Sequence, residues 1–245
     1  MATSGSSNFT ETRDSIITRS LRIVGALGQG EAANSTELTE AAQALNSIVK
    51  ALQSDGMQLW HKVTISFTPT AGDSSYLIGT GATITQTAPL KVYNAWHRNV
   101  TTSIDTPMIV VTKQEYDLFS DKVASTGTPN IIHYDPPNAT TGEMIGTVYL
   151  YVAPNSSFCS NHDIYMTVQH PIQDFDLSTD NPDFPSYWYN CIVWKLASEL
   201  AYEYGVPLSE RAMIAKRAAE EHDNALSFDI EEGSLFIQPY WQYGK

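Results

Sequence analysis

Residues able to carry out chemistry are scattered along this sequence, and few of them stand close enough together to form a site. Cys159-x-x-His162-Asp163 offers three metal ligands within five positions. A structural zinc site usually takes four ligands as two close pairs, and no second pair follows near Cys191. The other histidines stand singly, as surface or hydrogen-bonded core residues do. The sequence therefore predicts an ordinary loop here, with no metal and no cofactor.

Paired carboxylates are the second feature relevant to catalysis. Hydrolysis of a glycoside needs two carboxyl groups that flank one bond, and Asp174 with Asp176, or Glu231 with Glu232, would supply a pair. Adjacent or alternate carboxylates in polar segments usually belong to a solvated surface. The glycines of Gly25-x-x-Gly28-x-Gly30 follow a predicted helix, whereas a dinucleotide-binding loop follows a strand. We expect a protein that is not an enzyme, with a cell-wall-degrading enzyme left open as an alternative.

Composition narrows the class of protein further. The 245 residues are 42% hydrophobic and 17% charged, as in a folded chain. No run approaches the roughly 18 apolar residues of a membrane span, and the polar N-terminus lacks the features of a signal peptide. Two separated cysteines fit a reduced, cytosolic origin. The net charge of -13 would repel a phosphate backbone, so we expect no specific DNA binding, although DNA could slide past such a surface.

Apolar residues at helical spacing mark the first quarter of the chain. Residues 12–28 predict one helix, with Thr12 as its N-cap and glycines at its exit. A second helix is predicted over 35–54, where Asn34-Ser35-Thr36-Glu37 resembles a capping box. Its narrow apolar seam is formed by Leu38, Ala42, Leu45, Val49 and Leu52. The short connection between the two helices predicts an antiparallel hairpin.

From Leu59 onward the pattern changes to that of strands. Val63–Phe67 alternates between apolar and polar residues, and turn signals follow it. Further strand candidates are Tyr76–Ile78, Leu90–Trp96, Met108–Val111, Ile131–Tyr134, Val148–Val152 and Ile164–Val168. One short helix is predicted over Lys113–Ser120. We therefore expect a β-rich domain over 59–183.

Helical spacing resumes after Pro185. The helix that follows carries apolar or aromatic residues around most of its circumference, including Trp188, Ile192 and Trp194, which predicts burial on more than one side. Ser209 is expected to cap a fourth helix. The predicted fold is α+β, in which the N-terminal and C-terminal helix pairs form a four-helix body with an inserted β-rich domain and an extended aromatic tail. The corresponding segments are 1–58, 59–183, 184–228 and 229–245.

The end of the chain is unusually rich in aromatic residues for a terminal segment, since disordered tails are poor in them. Its apolar and aromatic residues are Phe228, Leu235, Phe236, Ile237, Tyr240, Trp241 and Tyr243. At about 150–250 Å² each, the five aromatic residues could bury on the order of 750–1,250 Å². One partner of a standard interface buries about 800 Å². The tail either packs on its own subunit or docks on another protein, and we favour docking.

The order of these elements and several stretches of sequence resemble the head-to-tail adaptor, or tail tubular, family of short-tailed bacteriophages. The matching stretches are Arg13-Asp14-Ser15-Ile16-Ile17 through Leu27-Gly28; Ala41, Gln43, Leu45 and Asn46 through Leu52-Gln53-Ser54-Asp55-Gly56 with Leu59-Trp60; Pro89-Leu90-Lys91-Val92; His97-Arg98; and Pro182-Asp183-Phe184-Pro185 with Tyr187-Trp188, leading into Ala197, Leu200, Ala201 and Gly205. The resemblance covers most of the chain in pattern. It is specific mainly at the two helical ends, and the β-rich segment matches in position and size more than in residues.

The resemblance implies a structural protein of the virion neck, made in the bacterial host cytoplasm and assembled as a ring with the dodecameric symmetry of the portal. The helices would form the ring body, the C-terminal tail would dock on the portal protein, and the β domain would meet neighbouring subunits or the next, nozzle-type tail protein. Double-stranded DNA would pass through the lumen without specific binding. The alternative is a β-mediated recognition or assembly module of a phage particle, which a trimer would fit better than a large ring.

Overall fold

The computed structural model describes residues 9–54, 59–122, 125–137 and 144–229 of the chain. The helices in these ranges are α1 (Arg13–Val24), α2 (Ser35–Leu52), α3 (Lys113–Asp117), α4 (Ser156–Cys159), α5 (Tyr189–Glu203) and α6 (Leu208–Phe228). The strands are β1 (Lys62–Phe67), β2 (Ser75–Ile78), β3 (Lys91–Asn99), β4 (Asp105–Val110), β5 (Thr126–Gly127), β6 (Ile131–Asp135), β7 (Gly146–Tyr151), β8 (Ala153–Pro154) and β9 (His162–Gln169). The predicted mixed α+β class is confirmed.

The chain divides into two compact units. The described part of the helical unit comes from Met1–Ile48 and Phe175–Lys245, and that of the β-rich unit from Val49–Gly56 and Trp60–Asp174. The β-rich unit is therefore inserted between two parts of the helical unit. The division falls about ten residues before each predicted boundary. The last turn of α2, from Val49, belongs to the β-rich unit, and the chain returns to the helical unit at Phe175.

The first helix forms where its periodicity predicts. The Thr12 side-chain oxygen accepts a hydrogen bond from the Ser15 backbone N–H at 3.4 Å, which satisfies one of the free donors of the first turn. The helix ends at Gly25, whose φ of +81° is easily reached only without a side chain. Its buried face, which includes Ile16 and Leu21, removes the apolar stripe from water.

Helix α5 is the centre of the helical unit and packs against both α1 and α6. Its contact with α1 is close, because Ser20 at the interface is small and fully buried. The Ser20 hydroxyl lies 3.0 Å from the carbonyl oxygens of Ile16 and Val193, so its proton serves acceptors on both helices. As predicted, α5 is buried on more than one side. The described residues do not show a four-helix body.

Helix α2 begins at the predicted capping box. Asn34 Oδ1 accepts from the Glu37 backbone N–H at 2.9 Å, and Glu37 Oε2 accepts in return from the Asn34 N–H at 2.9 Å. The helix ends inside the β-rich unit, where Lys50 Nζ donates to the Ile172 carbonyl at 2.7 Å and forms an ion pair with Asp174 at 2.6 Å. The first turns of α2 therefore belong to one unit and its last turn to the other.

The β-rich unit contains a seven-stranded sheet in the order β1-β9-β3-β4-β6-β7-β2. All neighbours are antiparallel except β4 and β6, which run parallel. Strand β4 joins two halves of the sheet: Asp105–Met108 pairs with β3, whereas Ile109 and Val110 pair with β6. The short strands β5 and β8 form a separate parallel pair.

The sheet curls, so that side chains of its first and last strands meet. The rings of Phe67 on β1 and Tyr76 on β2 lie 5.0 Å apart, although these strands are at opposite ends of the order. The curl encloses one apolar core, to which side chains on alternate positions of the strands contribute. Its fully buried members include Ile132, Leu150 and Ile164.

The predicted strands and the short helix after β4 are all present, within a few residues of their expected ends. The expected Ser209 cap is wrong: α6 begins one residue earlier, at Leu208, its N-cap is Pro207, and no side chain bonds the first turn. Pro207 has no side-chain acceptor, and its carbonyl oxygen accepts from the backbone N–H groups of Glu210 and Arg211, each at 3.0 Å.

Candidate interaction surfaces

The end of α6 forms a small aromatic cluster, which we call the tail root: Tyr187, Phe228 and Asp229. The Phe228 ring lies 4.8 Å from the Tyr187 ring at an interplanar angle of 60°, yet its side chain is 72% exposed. The Tyr187 hydroxyl donates to Asp229 Oδ1 at 3.1 Å. The chain continues from Asp229 into its aromatic segment, so the tail root marks where that segment begins.

The electrostatics of the tail root favour the protonated form of Tyr187. Burial, and then the charge of Asp229, raises the pKa of Tyr187 to about 12. Asp229 is only 5% exposed and accepts the tyrosine hydrogen, which offsets part of the cost of burying its charge. No local sequence pattern relates Tyr187 to a carboxylate 42 positions away, so this contact could not be predicted.

Of the predicted docking residues, the structure describes Phe228. Leu235, Phe236, Ile237, Tyr240, Trp241 and Tyr243 lie outside the described residues. Phe228 is the last residue of α6 and presents most of its ring to solvent. An aromatic side chain placed in this way is a typical component of an interface, because burying it later removes a large apolar area from water.

The predicted packing residues of the helices are buried to different degrees. Leu45, Val49, Leu52, Trp188 and Ile192 are at most 2% exposed, and Leu38 and Trp194 are half-buried. The seam residues of α2 are divided between the units, since Leu38 and Leu45 belong to the helical unit and Val49 and Leu52 to the β-rich unit.

An acidic groove runs between α2 and α5 within the helical unit. It has a volume of about 470 Å³, and Glu40, Glu199 and Glu203 line it. Burial, followed by the charges of Glu37 and Glu40, raises the pKa of Tyr204 near one end of this groove. The groove shows that part of the acidic excess of the sequence is gathered on the surface of the helical unit.

The β-rich unit has an open cleft where β3 and β4 separate. Its volume is about 460 Å³, and its lining includes Tyr93, Trp96 and Met108. The Trp96 ring stacks on Tyr165 of β9 at 5.7 Å and 11°. This outer face therefore combines aromatic rings with a shallow concave shape, as surfaces for recognition often do.

An ion pair that sequence reasoning missed lies beside the turn of the β3–β4 hairpin. Arg98 Nε and a terminal nitrogen of the same side chain donate to the two carboxylate oxygens of Asp105 at 2.6 and 2.7 Å. Arg98 also lies over the Tyr165 ring at 4.8 Å. Bidentate pairing of this kind fixes orientation as well as distance, and it lowers the pKa of Asp105. The strand register brings these residues together.

The residues considered for catalysis and metal binding are found in ring stacking, in an ion pair or on the exposed surface. Cys159 is a half-buried free thiol, and burial raises its pKa. The His162 ring stacks on Phe158 at 4.7 Å. Asp174 is paired with Lys50, and Asp176 is exposed.

Within the described ranges, no group of three or more His, Cys, Asp or Glu side chains is arranged to hold a metal ion. In the same ranges, no helix is long and apolar enough to cross a bilayer. Glu231 and Glu232 lie outside the described residues.

Comparisons with known proteins do not identify a family for this chain. No protein-family model matches the sequence, and no curated protein matches it significantly.

Proposed function

We propose that this chain is a structural protein of a short-tailed bacteriophage, which forms an adaptor ring between the portal and the tail. The observation that carries the proposal is the arrangement of the helical unit, which is built from both ends of the chain and leads at the exposed Phe228 into an aromatic segment. Such a unit can form a ring body while its C-terminal segment reaches a partner. The protein would be made in the host cytoplasm and reside in the neck of the virion.

The helical unit is proposed to complete a four-helix body in this role. Helix α5 packs on α1 and α6, and α2 borders the groove beside α5 through residues such as Ala44 and Ile48. The half-buried Leu38 and Trp194 would bury further area when the helices of neighbouring subunits pack. A ring needs contacts of this head-to-tail kind, in which two different faces of one subunit meet.

The acidic character of the chain fits a protein that DNA passes without binding. With a net charge of -13, the surface repels phosphate groups, so a lumen lined by it would not retain DNA. We expect acidic residues to outnumber basic ones on the lumen wall of the assembled ring. A ring structure with a continuous band of lysine and arginine along the channel would contradict this part of the proposal.

The test is the mass of the purified protein, alone and mixed with portal dodecamers, measured by mass photometry. Addition of about one ring of subunits to each portal is the expected result, and it would support the adaptor role directly. A stable monomer or trimer that adds no mass to the portal would refute it. The same measurement on the portal with the nozzle-type tail protein, with and without this chain, tests whether the ring bridges the two.

The docking role of the tail is tested with the double variant Phe236→Ala, Trp241→Ala. Portal affinity should fall by at least about 30-fold, as expected when two aromatic anchors of an interface are removed, and thermal unfolding of the free protein should stay unchanged. Leu118→Ala provides a matched control, since Leu118 is an 82% exposed apolar side chain of the β-rich unit. A large loss of stability with unchanged portal affinity would show that the tail packs on its own subunit.

A second candidate function is recognition by the β-rich unit within a phage particle. The observation that favours it is the aromatic cleft beside Tyr93 and Trp96. A trimer that binds a surface glycan or receptor, and loses this binding in Trp96→Ala with the fold intact, would support this alternative in place of the adaptor ring.

A further inference from the structure

A small patch where α5 leads into α6, which we call the arginine patch, is formed by Tyr202, Leu208 and Arg211. The guanidinium carbon of Arg211 lies 4.9 Å from the centroid of the Tyr202 ring, in the geometry of a cation–π contact. Leu208 and Arg211 are three positions apart on α6 and are therefore neighbours on its surface. Tyr202 and Leu208 are 65% and 75% exposed. The patch thus presents an aromatic ring and an aliphatic side chain beside one cation.

The cation of this patch lacks a counter-ion. Arg211 Nε is buried without a hydrogen-bond partner, and the side chain forms no ion pair within the described ranges. The next two cations of α6 are paired, since Lys216 lies 3.9 Å and Arg217 3.5 Å from carboxylate oxygens of Glu220. Arginine and tyrosine are the residues on which binding energy at interfaces most often depends. A carboxylate supplied by a second molecule would give the guanidinium the partner that its own chain does not provide.

The acidic groove between α2 and α5 has the opposite imbalance. Its carboxylates are those of Glu40, Glu199 and Glu203, and no lysine or arginine lines it. None of the three forms an ion pair with another described residue. Glu199 and Glu203 are four positions apart on α5, a spacing at which two like charges destabilise a helix. With Ala44 and Ile48 in its lining and a volume of about 470 Å³, the groove can take the end of a long cationic side chain.

The arginine patch and the acidic groove adjoin on one surface of the helical unit. Tyr202 of the patch and Glu199 of the groove are three positions apart on α5, which makes them neighbours on that helix. A surface with a cationic and an anionic area side by side is complementary to a second copy turned by a two-fold rotation, because each area then meets its opposite twice. A partner with charge of one sign would satisfy only one of the two areas.

We propose that two copies of this chain associate around a two-fold axis beside Tyr202, with Arg211 of each copy entering the acidic groove of the other. Tyr202 and Leu208 lose exposed area in the same contact. An interface built around so few side chains is weak, and its ion pairs are screened by salt. The inference does not depend on the adaptor role. Neighbours in a head-to-tail ring are not related by a two-fold axis, so the dimer separates before such a ring forms.

The experiment is sedimentation equilibrium of the full chain over a concentration series at low salt. The wild type should show a monomer–dimer equilibrium that shifts towards monomer as sodium chloride is added. Arg211→Glu, and separately the double variant Glu199→Arg, Glu203→Arg, should each weaken dimerisation at least about 30-fold, since each places like charges opposite one another. Mixed in equal amounts, these two proteins should form a heterodimer, because opposite charges then face each other at both contacts. Recovery in the mixture also shows that both proteins are folded.

Met213→Glu is the matched control for an added negative charge on α6. Met213 is 65% exposed, and two positions after Arg211 it points about 200° away around the helix, so this variant should dimerise as the wild type does. A wild type that stays monomeric at low salt, an Arg211→Glu protein that dimerises normally, or a mixture that forms no heterodimer would each overturn the proposal. Species larger than a dimer in the mixture would overturn the two-fold arrangement and indicate a head-to-tail contact.

Discussion

Replacing His61 by phenylalanine should make the β-rich unit less sensitive to acid. His61 is 3% exposed, its ring centroid lies 3.6 Å from that of Trp60, and its Nε2 has no hydrogen-bond partner among the described residues. Burial, and then the neighbouring His170, lowers the pKa of His61 to about 4. The folded unit therefore holds this imidazole in its neutral form well below the pH at which an unfolded chain would protonate it.

The sign and size of the effect follow from that difference. Between about pH 6.5 and pH 4 the unfolded state binds more protons at this position, so stability is lost as the pH falls through this window. For an unfolded pKa of about 6.5 and the folded value of about 4, the loss between pH 7.5 and pH 5.0 is about 2 kcal/mol. His97, whose pKa is also lowered, adds a loss of the same sign in both proteins.

The assay is urea unfolding at the two pH values, followed by NMR of the methyl groups of Ile164, Met166 and Val168, which are buried in the β-rich unit. The wild type should lose about 2 kcal/mol more than His61→Phe between pH 7.5 and pH 5.0. His222→Gln, on α6 of the helical unit, is the matched histidine control and should behave as the wild type does. Equal losses in the wild type and His61→Phe would refute the reasoning, since protonation of His61 would then not be coupled to unfolding.

Three further changes test individual contacts by thermal unfolding. Asn34→Ala removes the N-cap of α2 and should cost about 1 kcal/mol; an unchanged melt would show that the cap is not needed. Gly146→Ala should destabilise the β-rich unit, because the added Cβ would overlap the Tyr134 hydroxyl; a fully stable variant would mean that this ring can move. Tyr187→Phe removes the hydrogen bond to Asp229 and should cost about 1 kcal/mol, because a buried carboxylate loses one hydrogen bond. Wild-type stability of that variant would show that the tail root is held by ring packing alone.

The caps and the hydrophobic spacing account for much of what could be predicted. The Thr12 cap, the Gly25 exit and the box of Asn34 with Glu37 involve residues three or four positions apart, so they can be recognised without knowledge of the rest of the chain. The same holds for the alternating strands, whose apolar positions form the core of the curled sheet.

Local sequence patterns do not predict the candidate interaction surfaces. The partners at the tail root, Tyr187 and Asp229, are 42 positions apart, and the neighbouring side chains of Asn99 and His162 are 63 apart. No periodicity relates residues at these separations. The prediction of a docking tail rests on composition, and composition shows that a segment can bury apolar area without showing which surface it packs against.

The sequence by itself determined where helices and strands form, how several helices begin and end, and that the chain carries a large acidic excess, because these properties depend on residue types and on neighbours within a few positions. Only the tertiary structure decided that β4 is shared by two halves of one sheet, that the last turn of α2 joins the β-rich unit, and that two histidines meet beside Phe158. These features depend on which strands pair and in which register, and many pairings satisfy the same alternating pattern. The choice among them is made by packing of the whole core.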